Sequence, residues 1–108
     1  MSLLKEYLKE RGVKEIIEYP HGFVTYAIQD KLCYIEDMYV LPSERGNGWS
    51  TRLADEVCAD AKNKGCELIS CSIDLNAKDN TSNFYTIYQY GFRPHRAHNN
   101  EIYFIKEL

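Results

Sequence analysis

The stretch VLPSERGNGWSTRL, residues 40–53, passes from a β-rich segment through a loop containing Gly46 and Gly48 into a sequence with helical periodicity. A strand that turns through glycine into a helix leaves backbone N–H groups unpaired at the helix start, where the helix dipole adds partial positive charge. Glycine lets the backbone approach an anion without a Cβ in the way, and Arg45 at the loop's leading edge can add a charge-assisted contact. The stretch therefore reads as a seat for phosphate. It matches neither GxxxxGK[ST] of the Walker loop nor GxGxxG of the dinucleotide folds.

Outward from the loop, Trp49, Leu53, Ala54, Val57, Cys58 and Ala61 recur every three or four positions, and Gly65 closes the segment, which predicts a helix from Gly48 to Lys64. Upstream, VKEIIEY (13–19) and GFVTYAIQ (22–29) are rich in β-branched and aromatic residues, and KLCYIEDMYVL (31–41) follows a polar turn. Three strands in an antiparallel meander are predicted, preceded by a short amphipathic helix over SLLKEYLKER (2–11). Downstream, CELISCSIDL (66–75) reads as a central strand covered on both faces. NAKDNTSN leads into a shorter helix ending before Gly91, and FRPHRA and EIYFIKEL flank HNN as a closing hairpin. The fold class expected is α/β, with a mixed, mostly antiparallel sheet and helices on both faces. The crossover helix makes the third and fourth strands parallel.

A chain of 108 residues is expected to form a single domain over 1–108. Its apolar fraction of 44%, nine tyrosines and one tryptophan argue against disorder. No run approaches the length of a membrane span and MSLLKEYLKERG does not read as a signal peptide, so a soluble, cytoplasmic protein is expected. A net charge of −3 with scattered basic residues disfavours nucleic acid as a partner. Cys33, Cys58, Cys66 and Cys71 lack CxxC spacing and are read as reduced core or near-core thiols. His95 and His98 have no third nearby ligand, and His21 lies in a turn, so no metal site is predicted.

Arg45, Gly46, Asn47, Gly48, Trp49 and Ser50 match an R/Q-x-x-G-x-G/A signature, YIEDMYVLP precedes it, and YQYGF follows near the end of the last helix. In these motifs the chain, from about residue 13 to 108, resembles the GNAT superfamily of acetyl-CoA-dependent N-acetyltransferases. The resemblance implies the GNAT-like acyl-CoA N-acyltransferase fold, truncated at its N-terminus, with acetyl-CoA as cosubstrate. It assigns the coenzyme pyrophosphate to the loop from Arg45 through Gly46, Asn47, Gly48 and Trp49 to Ser50. It assigns backbone contacts with the pantetheine arm and thioester carbonyl to Met38, Tyr39 and Val40. Ser50 stands where the family has Gly or Ala, and Trp49 is larger than the usual aliphatic residue and is expected to pack behind the loop. Asn80 and Asn83 suit the start of the last helix as caps, with coenzyme contact as a second role. The family's first strand and part of its early helical region have no counterpart, which thins the acceptor wall.

Acetyl transfer to an amine needs that amine neutral, the thioester carbonyl polarised, and a proton for the departing thiolate. In many members of the family a tyrosine four residues before the glycine of the last helix supplies that proton. That slot here is Ile87, with Tyr88 beside it as first candidate and Tyr85 one turn earlier as second. By strand alternation Tyr34, Glu36 and Met38 share one face and Asp37 takes the other, making Glu36 the candidate base, acting through water. Its position serves as base in some polyamine-type members, whereas other branches place theirs two residues earlier, here Tyr34. The function expected is transfer of an acetyl group from acetyl-CoA to a primary amine of a small molecule or protein by direct attack. Two alternatives stand beside it: a protein that binds acetyl-CoA or CoA without turnover, and an interaction module that shares the fold. The acceptor is not named by the sequence, and a homodimer could supply the thin wall.

Overall fold

The structure, a computed structural model, describes residues 3–10, 15–76 and 80–108, with the side chains of 4, 5, 8, 9 and 80–83 excepted. Helix α1 (Leu3–Glu10) is followed by strands β1 (Glu15–Tyr19), β2 (Gly22–Gln29) and β3 (Leu32–Val40). A short 3-10 turn (Pro42–Glu44) then leads into α2 (Trp49–Asn63), β4 (Leu68–Asp74), α3 (Asn80–Tyr90), β5 (Arg93–His98) and β6 (Glu101–Glu107). The strands form one six-stranded sheet in the order β1-β2-β3-β4-β6-β5. β3 and β4 are parallel and every other neighbouring pair is antiparallel. The turn that closes the last hairpin holds Asn99 and Asn100 at φ 51° and 63°, the left-handed region that asparagine tolerates best among residues with a side chain.

Directly paired residues share a face of the sheet, so one face carries Val24, Tyr26, Cys33, Ile69, Cys71, Ile73 and Phe104. Helix α2 lays Leu53, Val57 and Ala61 on it, and these residues form one buried cluster with the strand residues. Helix α3 joins the same face, with Phe84 edge-on to Phe104 at 5.2 Å between ring centroids. Two crossovers that step the same way across a sheet both wind right-handed, which puts their helices together. Helices α2 and α3 thus share one face of the sheet. β4 accordingly alternates, with Ile69, Cys71 and Ile73 buried and Leu68, Ser70 and Ser72 half-buried, where cover on both faces was expected.

Three tyrosines tie α2 to its neighbours by donating phenolic hydrogens to its carboxylates. Tyr19 reaches Glu56 Oε1 at 2.5 Å, Tyr26 reaches Asp60 Oδ2 at 2.6 Å, and Tyr90 reaches Asp55 Oδ1 at 2.6 Å. The hydrogen bond to Glu56 raises the Tyr19 phenol above its ordinary value, whereas burial is the leading cause for Tyr26 and Tyr90. The four cysteines are free; Cys33, Cys66 and Cys71 are buried and Cys58 is partly so. Burial pushes the Cys33 and Cys71 thiols up to about 12. No helix among the described residues is long and apolar enough to cross a membrane.

Candidate active site

Between Val40 and α2 the chain turns through two residues that only glycine occupies cheaply. Gly46 has φ +84° and Gly48, the N-cap of α2, has φ +83°, in both cases with open space where a Cβ would stand. The first helical bond runs from Arg52 N–H to the Gly48 carbonyl. The N–H groups of Gly46 through Thr51 therefore find no acceptor among the described residues. Among the described residues no side chain caps the helix and its first turn has no acidic residue, which leaves the positive end of the dipole open to an anion. The loop is pinned from behind: Leu41 N–H donates to the His21 carbonyl at 2.8 Å, and His21 Nδ1 lies 3.4 Å from Glu44 Oε1. Trp49 packs against Tyr19 and His21 at centroid separations of 5.8 and 4.9 Å, and the Arg52 guanidinium lies 5.2 Å from its ring.

Beside the loop, the sheet opens. β3 and β4 pair only at Leu32–Leu68, Cys33–Ile69 and Tyr34–Ser70, and beyond that the two strands part. The antiparallel ladder between β2 and β3 turns alternate residues towards and away from β2. Because Leu41 bonds to His21, Tyr39 also directs its backbone at β2, and Met38 and Val40 direct theirs into the opening. The Val40 carbonyl accepts from Arg45 Nε at 3.0 Å, and the Arg45 guanidinium lies 5.7 Å from the centroid of Tyr39. A cleft thus runs from six unpaired amides, along free backbone groups of β3, to a fork at Tyr34.

The model of the Acetyltransferase (GNAT) family matches residues 13–92. The chain belongs to the GNAT family. Among curated proteins, this GNAT chain is similar to the thialysine N-epsilon-acetyltransferase of Mus musculus, 41% identical over 46 residues. That match covers 42% of the chain and 27% of the mouse protein, so the chain spans about a quarter of the relative's length. Among solved structures it is similar to the PaiA N-acetyltransferase of Thermoplasma acidophilum in complex with coenzyme A, with a TM-score of 0.79 at 18% identity. That likeness covers 98% of this chain and 69% of the other. A GNAT family acetyltransferase of Elizabethkingia anophelis with acetyl-CoA bound gives 0.76 at 19% identity, over 96% of this chain and 83% of the other.

Measured against the GNAT expectations, the structure gathers the loop from Arg45 to Ser50 with Met38 and Val40 around the cleft. Tyr39 is corrected, since its backbone groups serve the ladder with β2. The facing of β3 is corrected as well. Thr25 pairs with Asp37 and Tyr26 with Ile35, so Glu36 is the extra residue of a β-bulge. The bulge shifts the alternation by one, placing Tyr34, Asp37 and Tyr39 on the face away from α2 and Met38 and Val40 on the α2 face. Glu36 itself is exposed at the bulge.

The two candidate tyrosines are both exposed on α3. Helix α3 turns Phe84 towards Phe104 and packs Ile87 against the core, which leaves Tyr85 65% and Tyr88 44% exposed. The Arg93 guanidinium covers the Tyr88 ring at 3.9 Å from its centroid and donates to the Tyr88 carbonyl, at the outermost strand of the sheet. The backbones of Asn80 and Asn83 lie in the first turns of α3, and their side chains fall outside the described residues. Among the described residues no group of His, Cys, Asp and Glu is placed to hold a metal ion. His95 and His98 are exposed on β5.

Sequence reasoning passed over Ser72, Glu101 and Tyr103, which close the fork together with Tyr34. Tyr34 Oη and Ser72 Oγ are 2.8 Å apart, Ser72 Oγ donates to Glu101 Oε1 at 3.1 Å, and Tyr103 Oη donates to Glu101 Oε2 at 3.2 Å. Burial first, and then the Glu101 charge, raise the Tyr103 phenol above its ordinary value. No local motif marks these residues, because the contact joins three strands.

Proposed function

We propose that this protein binds acetyl-CoA and transfers its acetyl group to a primary amine of a small molecule or protein by direct attack. The reading is supported most directly by the run of unpaired N–H groups from Gly46 to Thr51, opening onto the fork between β3 and β4. The pyrophosphate is held by these amides, which supply directed donors and the helix dipole without needing a cation. Arg45, whose Nε is committed to Val40, keeps its Nη groups for phosphate. The pantetheine arm runs along the free side of β3 and takes the place of the missing strand, bonding to Met38 and to the Val40 N–H. When bound, acetyl-CoA supplies an activated acyl group with a thiol as leaving group.

Because α2 and α3 occupy one face, the amine enters from the other, where Asp37 and the bulged Glu36 present carboxylates that attract an ammonium. Isothermal titration with acetyl-CoA, beside an Arg45→Ala, Gly48→Glu double variant, tests the seat. Micromolar binding that the double variant loses is expected, and no binding by the native chain overturns the proposal. A second reading, coenzyme binding without turnover, is favoured by the outward-facing Tyr85 and Tyr88. Release of free coenzyme A in the presence of primary amines separates the two.

A further inference from the structure

The fork is closed by a hydroxyl chain in a place where the sheet has no need of a crosslink. β3 and β4 are held by their ladder up to Tyr34–Ser70, and the next side-chain contact between them is Tyr34 Oη to Ser72 Oγ at 2.8 Å. Ser72 has a single hydrogen and gives it to Glu101 at 3.1 Å, so the Tyr34 hydroxyl must be the donor in its bond to Ser72. The chain therefore has one direction, from phenol to serine to carboxylate. Its open end is the Tyr34 oxygen, whose lone pairs have no donor among the described residues. That oxygen sits at the apex of the cleft, on the face not covered by α2 and α3.

We propose that Tyr34, Ser72 and Glu101 form a proton relay that neutralises the acceptor ammonium at the fork. The inference rests on the acetyl-transfer reading above. The ammonium donates to the Tyr34 oxygen. As its N–H bond breaks, the Tyr34 proton passes to Ser72 and the Ser72 proton to Glu101. One proton has then moved from nitrogen to carboxylate, the amine is neutral, and both hydroxyls end as they began. Glu101, half-buried at the start of β6, returns the proton to water. Tyr34 is the catalytic residue in this scheme, touching the amine, and Ser72 and Glu101 act through it.

The groups facing Glu101 favour the task. Asp74 of β4 is paired directly with it and keeps the local field negative. His98 of β5 is paired on the other side, and the Arg96 guanidinium lies 5.4 Å from the ring of Tyr103, which donates to the second carboxylate oxygen. Tyr103 thus holds Glu101 in the orientation that receives the Ser72 proton. A carboxylate two hydroxyls distant reaches the amine without occupying the acceptor's own space, and a directed chain transfers protons without side-chain rearrangement.

The experiment compares two acceptors at pH 7: an alkylamine, which is almost wholly protonated, and hydroxylamine, which is already neutral. Native protein, Glu101→Gln, Tyr34→Phe and the double variant are assayed by coenzyme A release, with acetyl-CoA affinity and melting temperature measured in parallel. Each single variant is expected to lose roughly 100-fold in kcat with the alkylamine, a loss typical of removing acid–base assistance, and little with hydroxylamine. The double variant is expected to be no slower than either single one, as for residues that act as a unit. Raising the pH towards the ammonium pKa should restore the alkylamine rate. Equal losses with both acceptors, or an unchanged alkylamine rate in Glu101→Gln, overturn the relay. Should Glu101→Gln fail to fold, Tyr34→Phe and Ser72→Ala carry the same comparison. Acetyl-CoA binding with no transfer by the native protein to either acceptor overturns the transfer reading and the relay with it.

Discussion

The phosphate seat can be tested by two substitutions with the same backbone cost in different places. Gly48 heads α2 at φ +83° and Gly65 follows the end of α2 at φ +87°, and a Cβ built on either meets nothing within 4 Å. Gly48→Ala and Gly65→Ala thus clash with no neighbour, and each pays only the left-handed penalty for a residue with a side chain, about 1–2 kcal/mol. For a domain of this size that lowers the melting temperature by roughly 4–8 °C in each variant.

Their effects on acetyl-CoA should differ. The Cβ at Gly48 occupies the open side of the loop, where the pyrophosphate must approach the N–H groups of Trp49, Ser50 and Thr51. Displacing one or two charge-assisted bonds, worth about 1.5–3 kcal/mol each, weakens binding by at least tenfold. Gly65 lies at the opposite end of the helix and should leave the Kd unchanged. Thermal unfolding and isothermal titration with acetyl-CoA on the two variants make the comparison. Equal melting shifts with equal Kd values would refute the loop as the seat, because strain would then be the whole effect. A larger melting shift for Gly48→Ala would refute the assumption of open space.

Leu53 is fully buried between α2 and the sheet, and Leu53→Ala should cost about 3–5 kcal/mol in denaturant titration by leaving a cavity. The Tyr26 hydroxyl holds the Asp60 carboxyl below its ordinary value against the opposing effect of burial, and Lys64 adds to the lowering. That contribution is present above the unfolded carboxylate range and is lost as pH falls through the lower folded value, so Tyr26→Phe should flatten the acid side of the stability profile. The thiols of Cys33 and Cys71, at about 12, stay protonated at pH 8 and should react with a disulfide reagent only after unfolding, which time-resolved thiol titration reads. Glu36→Gln at the exposed bulge should raise the KM for a cationic acceptor and leave kcat within about twofold, since the proton path does not pass through it.

The meander, the crossover helix and the glycine turn that leads into it were legible because each is a local pattern: apolar periodicity, turn residues, or glycines spaced before a helix. What escaped depends on pairs distant in sequence. The bulge at Glu36 carries no glycine or proline to announce it, since it is set by how Thr25 and Tyr26 pair across the strand, and one unpaired residue reversed the facing of Asp37, Met38 and Val40. The phase of α3 was likewise settled by Phe84 against Phe104, a contact that spans the sheet order and carried Tyr85 and Tyr88 outward. Helical spacing shows which tyrosines share a face but not which face is inside.

The tyrosines show why this distinction matters for function. Tyr19, Tyr26 and Tyr90 all donate to carboxylates of α2, and the ionised acceptors make their own ionisation less favourable. Such phenols fasten a helix and are spent as donors. Tyr88 is covered by Arg93, and Tyr85 is largely in water. Tyr34 differs from all of these in one physical respect: its hydroxyl donates into a chain that ends on a carboxylate, while its oxygen stays open at the apex of a cleft. A phenol so placed can accept a proton at one end only as it gives one up at the other. The proposed seat for the coenzyme is written in one loop, whereas the proposed proton path is assembled from β3, β4 and β6 and exists only once the sheet has formed.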